Sequence, residues 1–167
     1  MPWVTVALMA ASIVAQIAWL SGGVVLLIAN LVVLWIYGIT LEDTMGRARF
    51  VAFAILGGLV ATAAQLAVDP GTDTPGLGAT GVAAALIGGH VFLYPGARVV
   101  TWCLIPPFVG LIELPVAVLP GIWLVLQIIF GGLAAVAVVT AGGAFGLALV
   151  RIFAREVKET PPRLPAF

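Results

Sequence analysis

Six apolar stretches, each close to the length that crosses a bilayer, take up nearly the whole chain and decide what it can fold into. They run from Trp3 to Leu20, Val24 to Thr40, Phe50 to Val68, Thr80 to Tyr94, Glu113 to Phe130 and Leu133 to Phe153. A spanning helix takes about 20 mostly apolar residues, so 167 residues hold about six spans and no separate soluble domain. The breaks are SGG at 21–23, LEDTMGRAR, VDPGTDTPGLG, the stretch from YPGAR to IPP, and FGG at 130–132, all made of turn-forming or charged residues. Composition agrees: 63% of residues are hydrophobic and 8% charged, against roughly 45–50% and 25% in soluble domains. The fold class expected is all-α, a polytopic membrane bundle over residues 1–153. Residues 154–167, ending EVKETPPRLPAF, form a polar, proline-rich tail without the apolar content to build a core.

The cations orient this bundle. Arg47 and Arg49 lie between spans two and three, Arg98 between four and five, and Arg151, Arg155, Lys158 and Arg163 at or beyond the end of span six; these are all 7 Lys and Arg residues. With six spans every one falls on the same side, which the positive-inside rule makes cytoplasmic. Both termini are then cytoplasmic, in a plasma membrane of bacterial type, and the opposite face carries Asp69, Asp73 and neutral turns. The first apolar run has no Lys or Arg before it and no small-x-small cleavage site after it, so it is expected to be a retained span. Glu113 is expected to open span five, where the helix dipole favours an acid. Glu42 and Asp43 beside Arg47 and Arg49 suit an anchoring turn. The single Cys103 cannot form an intrachain disulfide.

Within this frame GLGATG, residues 76–81, matches the G-x-G-x-x-G spacing of a dinucleotide-binding loop. That loop requires a preceding strand and a βαβ unit, whereas this one opens a membrane helix on the side without cations. No cofactor and no metal is therefore expected, and no basic stripe interleaved with aromatics points to nucleic acid. A transporter is disfavoured because no buried charge or paired broken helices mark a path. The small residues Gly81, Ala85 and Gly89 on span four, and Gly142 and Gly146 on span six, recur at the spacing that lets helix backbones approach in lipid, which predicts that these spans touch. Span four, about 15 residues or 22 Å long, is shorter than the ~30 Å hydrocarbon core. The loop from Gly76 to Ala79 is thus expected to sit below the membrane surface and line a cavity.

Five stretches, in order, resemble the rhomboid family of intramembrane serine proteases: WLSGGVVLLIANLVVLWIYG, LEDTMGRARFVAFAILGG, GATGVAAALIGGHVFLYPGAR, IELPVAVLPGIWLVLQIIFGG and AGGAFGLALVRIF. The resemblance implies a six-span core that admits transmembrane segments of other proteins, with a serine nucleophile at the GATG turn, a histidine base on span six and a His-x-x-x-Asn pair on span two. This chain has Thr80 at the nucleophile position. The base position falls at Thr140, or at Val139 or Ala141 with a one-residue slip. The span-two histidine becomes Leu26, and its partner is retained as Asn30, an oxyanion-donor position in the family.

A hydroxyl nucleophile needs an adjacent base. The only histidine, His90, stands ten residues along the same helix as Thr80, roughly 15 Å away, whereas a general base must lie within about 3 Å or one water of its proton. His90 is expected to serve as a packing or interfacial residue, and Asn30 as an interhelical hydrogen bonder. Thr80 and Thr140 are expected to meet across spans four and six. The function expected is that of an inactive rhomboid, embedded in the lipid bilayer, whose partners are transmembrane segments of client proteins. The alternative is an active rhomboid-type serine endopeptidase.

Overall fold

The computed structural model describes residues 2–19, 23–71, 78–95, 98–105, 108–115 and 118–154. Helix α1 spans Trp3–Trp19. Helix α2, Gly23–Val33, runs through a π-helical turn, Leu34–Gly38, into α3, Ile39–Met45. Then come α4, Arg47–Val68, and α5, Gly78–Leu93. Strands β1, Arg98–Ile105, and β2, Phe108–Pro115, precede α6, Val118–Phe153. Gly132, at φ 63° and ψ −157°, interrupts α6 and divides it into an arm of residues 118–131 and a second helix, 133–153.

Three of these helices, Val24–Met45, Arg47–Val68 and Ala134–Phe153, are long and apolar enough to cross a membrane. Three shorter apolar helices, Trp3–Val14, Ala79–Leu93 and Pro120–Phe130, complete the six segments marked out by the sequence. The protein is a polytopic bundle of membrane helices. Leucine, valine and isoleucine cover its outside, Val24, Ile55, Leu59, Ile129 and Ile152 among them, as expected where the surrounding solvent is hydrocarbon.

Spans four and six pack on backbone. A Cβ placed on Gly142 would stand 2.6 Å from the Gly81 carbonyl oxygen, and Cβ atoms on Gly88 and Gly146 would collide with the Gly143 and Ala85 carbonyls. Only glycine permits that approach, and the close contact replaces the hydrophobic drive that lipid does not supply. The predicted contact through Gly81, Ala85, Gly142 and Gly146 is present, with Gly88 and Gly143 added to it. Gly89 makes room for Val150 and for Phe53, whose ring also packs on Phe145 and Phe153.

The turn expected at LEDTMGRAR is shorter than the charge pattern suggested. Helix continues to Met45, and Gly46 alone, at φ 78°, makes the break. Glu42 is consequently a buried helical residue rather than part of a surface anchor. Its carboxylate accepts from the Val4 and Thr5 backbone N–H groups at 3.2 and 2.8 Å, and from the Thr5 hydroxyl at 2.8 Å. These are unpaired donors of the first turn of α1, the positive end of its dipole. Thr5 also occupies the space where Gly38 has no side chain, so α1 is fixed to the α2–α3 helix at one end. At that end the Thr44 and Tyr94 hydroxyls lie 2.6 Å apart, and the Arg151 guanidinium covers the Phe92 ring at 4.6 Å. The start of α1, the 42–49 turn and the ends of α5 and α6 thus gather at one end of the bundle.

Span five also differs from expectation. Glu113 lies in β2, in an antiparallel hairpin that pairs Arg98 with Pro115 and Ile105 with Phe108, and the helix begins at Val118. Runs such as RVVTWCLI favour strand through their β-branched and aromatic residues. An open two-stranded edge leaves backbone groups unpaired, which hydrocarbon does not tolerate, so the hairpin is a connector outside the hydrocarbon layer. Cys103 falls on β1. Asp73, Gly76 and residues 155–167 of the tail lie outside the described residues, while Gly78 and Ala79, expected in a loop, belong to α5.

Candidate functional site

Asn30, on α2, is the centre of a buried hydrogen-bonded cluster in the bundle. Its Nδ2 donates to Thr80 Oγ1 at 3.1 Å, and its Oδ1 accepts from Trp123 Nε1 at 3.0 Å and from Gln127 Nε2 at 3.1 Å. Asn30, Thr80, Trp123 and Gln127 are all buried. One carboxamide thereby joins spans two, four and five.

The direction of these bonds follows from chemistry. An indole N–H only donates, so Trp123 requires the oxygen of Asn30 to face it. That orientation turns the Asn30 nitrogen towards Thr80, which makes the hydroxyl an acceptor. It also requires Gln127 to present its nitrogen, leaving Gln127 Oε1 buried without a partner. Asn30 donates to one of the two lone pairs of the Thr80 hydroxyl, and an amide supplies no base.

The other positions implied by the sequence are placed as follows. Leu26, one turn before Asn30, is buried and apolar, so it adds no donor. Thr140 does not meet Thr80. It faces outwards, and its hydroxyl donates to the Val136 carbonyl of its own helix at 2.7 Å. The reason is register: Gly142 opposes Gly81, and Thr140, two residues earlier, lies about 200° around the helix from Gly142. The residue that shares a cavity wall with Ala84 and Trp123 is Val139, and Val138 packs near Gly81. Ala141 is half-buried. None of these carries a base.

His90 packs in the core, away from Thr80. Its ring meets Tyr37 edge-on, with centroids 4.9 Å apart, and lies 5.1 Å from Tyr94; neither ring nitrogen has a hydrogen-bond partner. It is a buried packing residue. Among the described residues no group of three or more His, Cys, Asp or Glu could hold a metal ion.

Trp123 and Gln127 were not singled out from the sequence. The available signal was their i, i+4 spacing, which puts two hydrogen-bonding side chains on one face of an otherwise apolar helix.

Two apolar cavities flank Trp123. One, of ≈ 210 Å³, lies against Ala84, Gly88, Val139 and Gly143; the other, of ≈ 140 Å³, lies between Ala29, Val32 and Ile36 on one side and Ile122 and Leu126 on the other. The site is therefore a neutral hydrogen-bonded knot between apolar hollows at the junction of spans two, four, five and six. No curated protein and no solved structure matches the chain. The model of the Rhomboid domain matches it over residues 9–156, from within the first helical segment to beyond the end of the sixth, and so includes every residue of this knot. The chain belongs to the rhomboid family.

Proposed function

We propose that this rhomboid is catalytically inactive and acts by binding transmembrane segments of client membrane proteins. The observation that carries this is that Thr80 Oγ1 is bonded by an amide, Asn30, in a knot whose other members, Trp123 and Gln127, are uncharged, so the knot offers no base. Acyl transfer by a hydroxyl needs a base to take its proton. His90 stands about 15 Å along the same helix, and the span-six positions in register are Val138 and Val139. The bundle nevertheless keeps what binding requires, namely apolar hollows beside Trp123 and a buried polar knot at membrane depth. The one-sided cations, with Arg151 at the same end as the start of α1, support cytoplasmic termini in a plasma membrane of bacterial type.

One observation favours the second reading, an active intramembrane serine-type endopeptidase: a hydroxyl and an amide donor sit 3.1 Å apart, as a nucleophile and an oxyanion donor would. Fluorophosphonate labelling and cleavage of a generic rhomboid substrate in lipid separate the two. The expected result is no labelling above a Thr80→Ala control. Labelling lost specifically in Thr80→Ala would establish the endopeptidase. The register adds a sharper arm: Thr80→Ser with Val139→His should label, whereas Thr80→Ser with Thr140→His should not.

A further inference from the structure

The glycines that bring α5 and α6 together leave a trough beside their contact. Gly88 and Gly143, whose backbones meet, carry no side chain to fill the side facing the arm of α6, and the cavity of ≈ 210 Å³ stands there. Leu124 of the arm and Leu147 of α6 line it and are exposed on the outside of the bundle, so it opens to the surrounding lipid. The one polar side-chain group of its lining, Trp123 Nε1, is already given to Asn30. A buried water needs two to four polar partners, so hydrocarbon fills this space.

The trough does not end in apolar residues. One turn further along each helix, on the same faces, Gly88 leads to Phe92 and Leu147 to Arg151, and there the Arg151 guanidinium covers the Phe92 ring at 4.6 Å. From Val139 to Arg151 the groove follows α6 for about 18 Å. The cavity and the cation therefore belong to one groove, apolar along its length and positive at the end of the bundle where α5 and α6 finish. Arg151 is exposed. The ring holds its guanidinium at the end of the groove, and the N–H fork of a guanidinium matches a phosphate.

We propose that this groove is a binding site for an anionic phospholipid, with one acyl chain lying along Gly88 and Gly143 against Trp123 and the headgroup phosphate on Arg151. Charge selects a net-negative headgroup, because a zwitterionic one brings its own cation towards the guanidinium. A transmembrane helix is not the occupant: a cylinder 10–12 Å across would part α5 from the arm, whereas a single hydrocarbon chain fits without moving either. The chain packs on the ring of Trp123, whose Nε1 donates to Asn30, and so steadies the arm from the side away from α2. The inference holds whether the protein cleaves its clients or only binds them.

The test uses the full chain in phosphatidylcholine vesicles that carry a trace of phosphatidylglycerol or of phosphatidylcholine, each with the same diazirine-bearing acyl chain. After illumination the labelled peptides are mapped by mass spectrometry. Over residues 84–91 and 120–124, which line the groove, phosphatidylglycerol should label about fivefold more than phosphatidylcholine, the preference that one basic residue near a membrane surface gives. Helix α4, whose outward Ile55 and Leu59 meet bulk lipid, should label equally with both. Arg151→Gln should remove the preference in the groove. Equal labelling of the groove by the two lipids, or a preference that survives Arg151→Gln, overturns the inference. If Arg151→Gln does not fold, Leu147→Trp, which narrows the groove from its rim, decides. Groove labelling by phosphatidylglycerol should then fall to the phosphatidylcholine level with α4 unchanged, and undiminished labelling overturns the site. Added inorganic phosphate should leave the preference intact, and its loss would mean a free-anion site and overturn the lipid. None of these outcomes bears on client binding.

Discussion

The contact between α5 and the second half of α6 and the contact between α2 and the arm of α6 join the same bundle by opposite means. In the first, glycines at 81, 88, 142, 143 and 146 bring two backbones together, so any change of spacing meets main-chain atoms. In the second, two side chains meet one carbonyl oxygen, with apolar hollows on either side of Trp123. Close backbone packing has no partial states, since an added methyl either fits or forces the helices apart. A few hydrogen bonds can exchange partners one at a time. The sequence distributes the two kinds of contact to the two parts of α6, on either side of Gly132.

Gly146→Val attacks the rigid half and should have the largest effect. Its Cβ has the Ala85 carbonyl and the Gly89 nitrogen in its way, so α5 and α6 must separate, at a cost of about 3 kcal/mol. Thermal unfolding in detergent should show a marked loss of stability, and a variant as stable as the parent would mean that the two helices are not in backbone contact. Asn30→Ala attacks the other half and should cost roughly 1–3 kcal/mol, because Trp123 Nε1 and Gln127 Nε2 lose their acceptor. Hydrogen exchange should accelerate over residues 118–131 and stay unchanged over α5. Equal acceleration in both would show that the arm is not an independent unit. Gly121→Ala supplies the smallest effect. Its Cβ meets nothing within 4 Å, so stability should stay level or rise by up to about 1 kcal/mol from helix propensity. A loss there would mean that the arm is packed against something its exposed side chains do not reveal.

The sequence went further with the frame than with the site. The six segments, the break at FGG and the contact of spans four and six were legible because apolar run length and small-residue spacing are local properties that hydrocarbon leaves little room to override. The boundary errors share a physical cause. Glu42 reads as surface because charge belongs outside the membrane, yet the free N–H groups at the start of α1 bring its carboxylate inside. Glu113 reads as a helix start because an acid suits that position, whereas the β-branched residues around it pair across a hairpin.

At the site, the chemical identities were in the sequence and the partnerships were not. That Thr80, Leu26 and the span-six positions lack a serine, a histidine and a base is fixed by residue type alone, as is the distance along one helix from Thr80 to the only histidine. Which hydroxyl meets which amide depends on how helices rotate and slide against each other, and sequence spacing leaves that open by about one residue. One residue turns a helix by about 100°, enough to send Thr140 outwards to its own Val136 carbonyl and leave Val139 on the cavity wall. Only the packed bundle brings Asn30, Thr80, Trp123 and Gln127 together from three spans, because a buried amide in hydrocarbon takes whichever partners the glycine contacts place within reach.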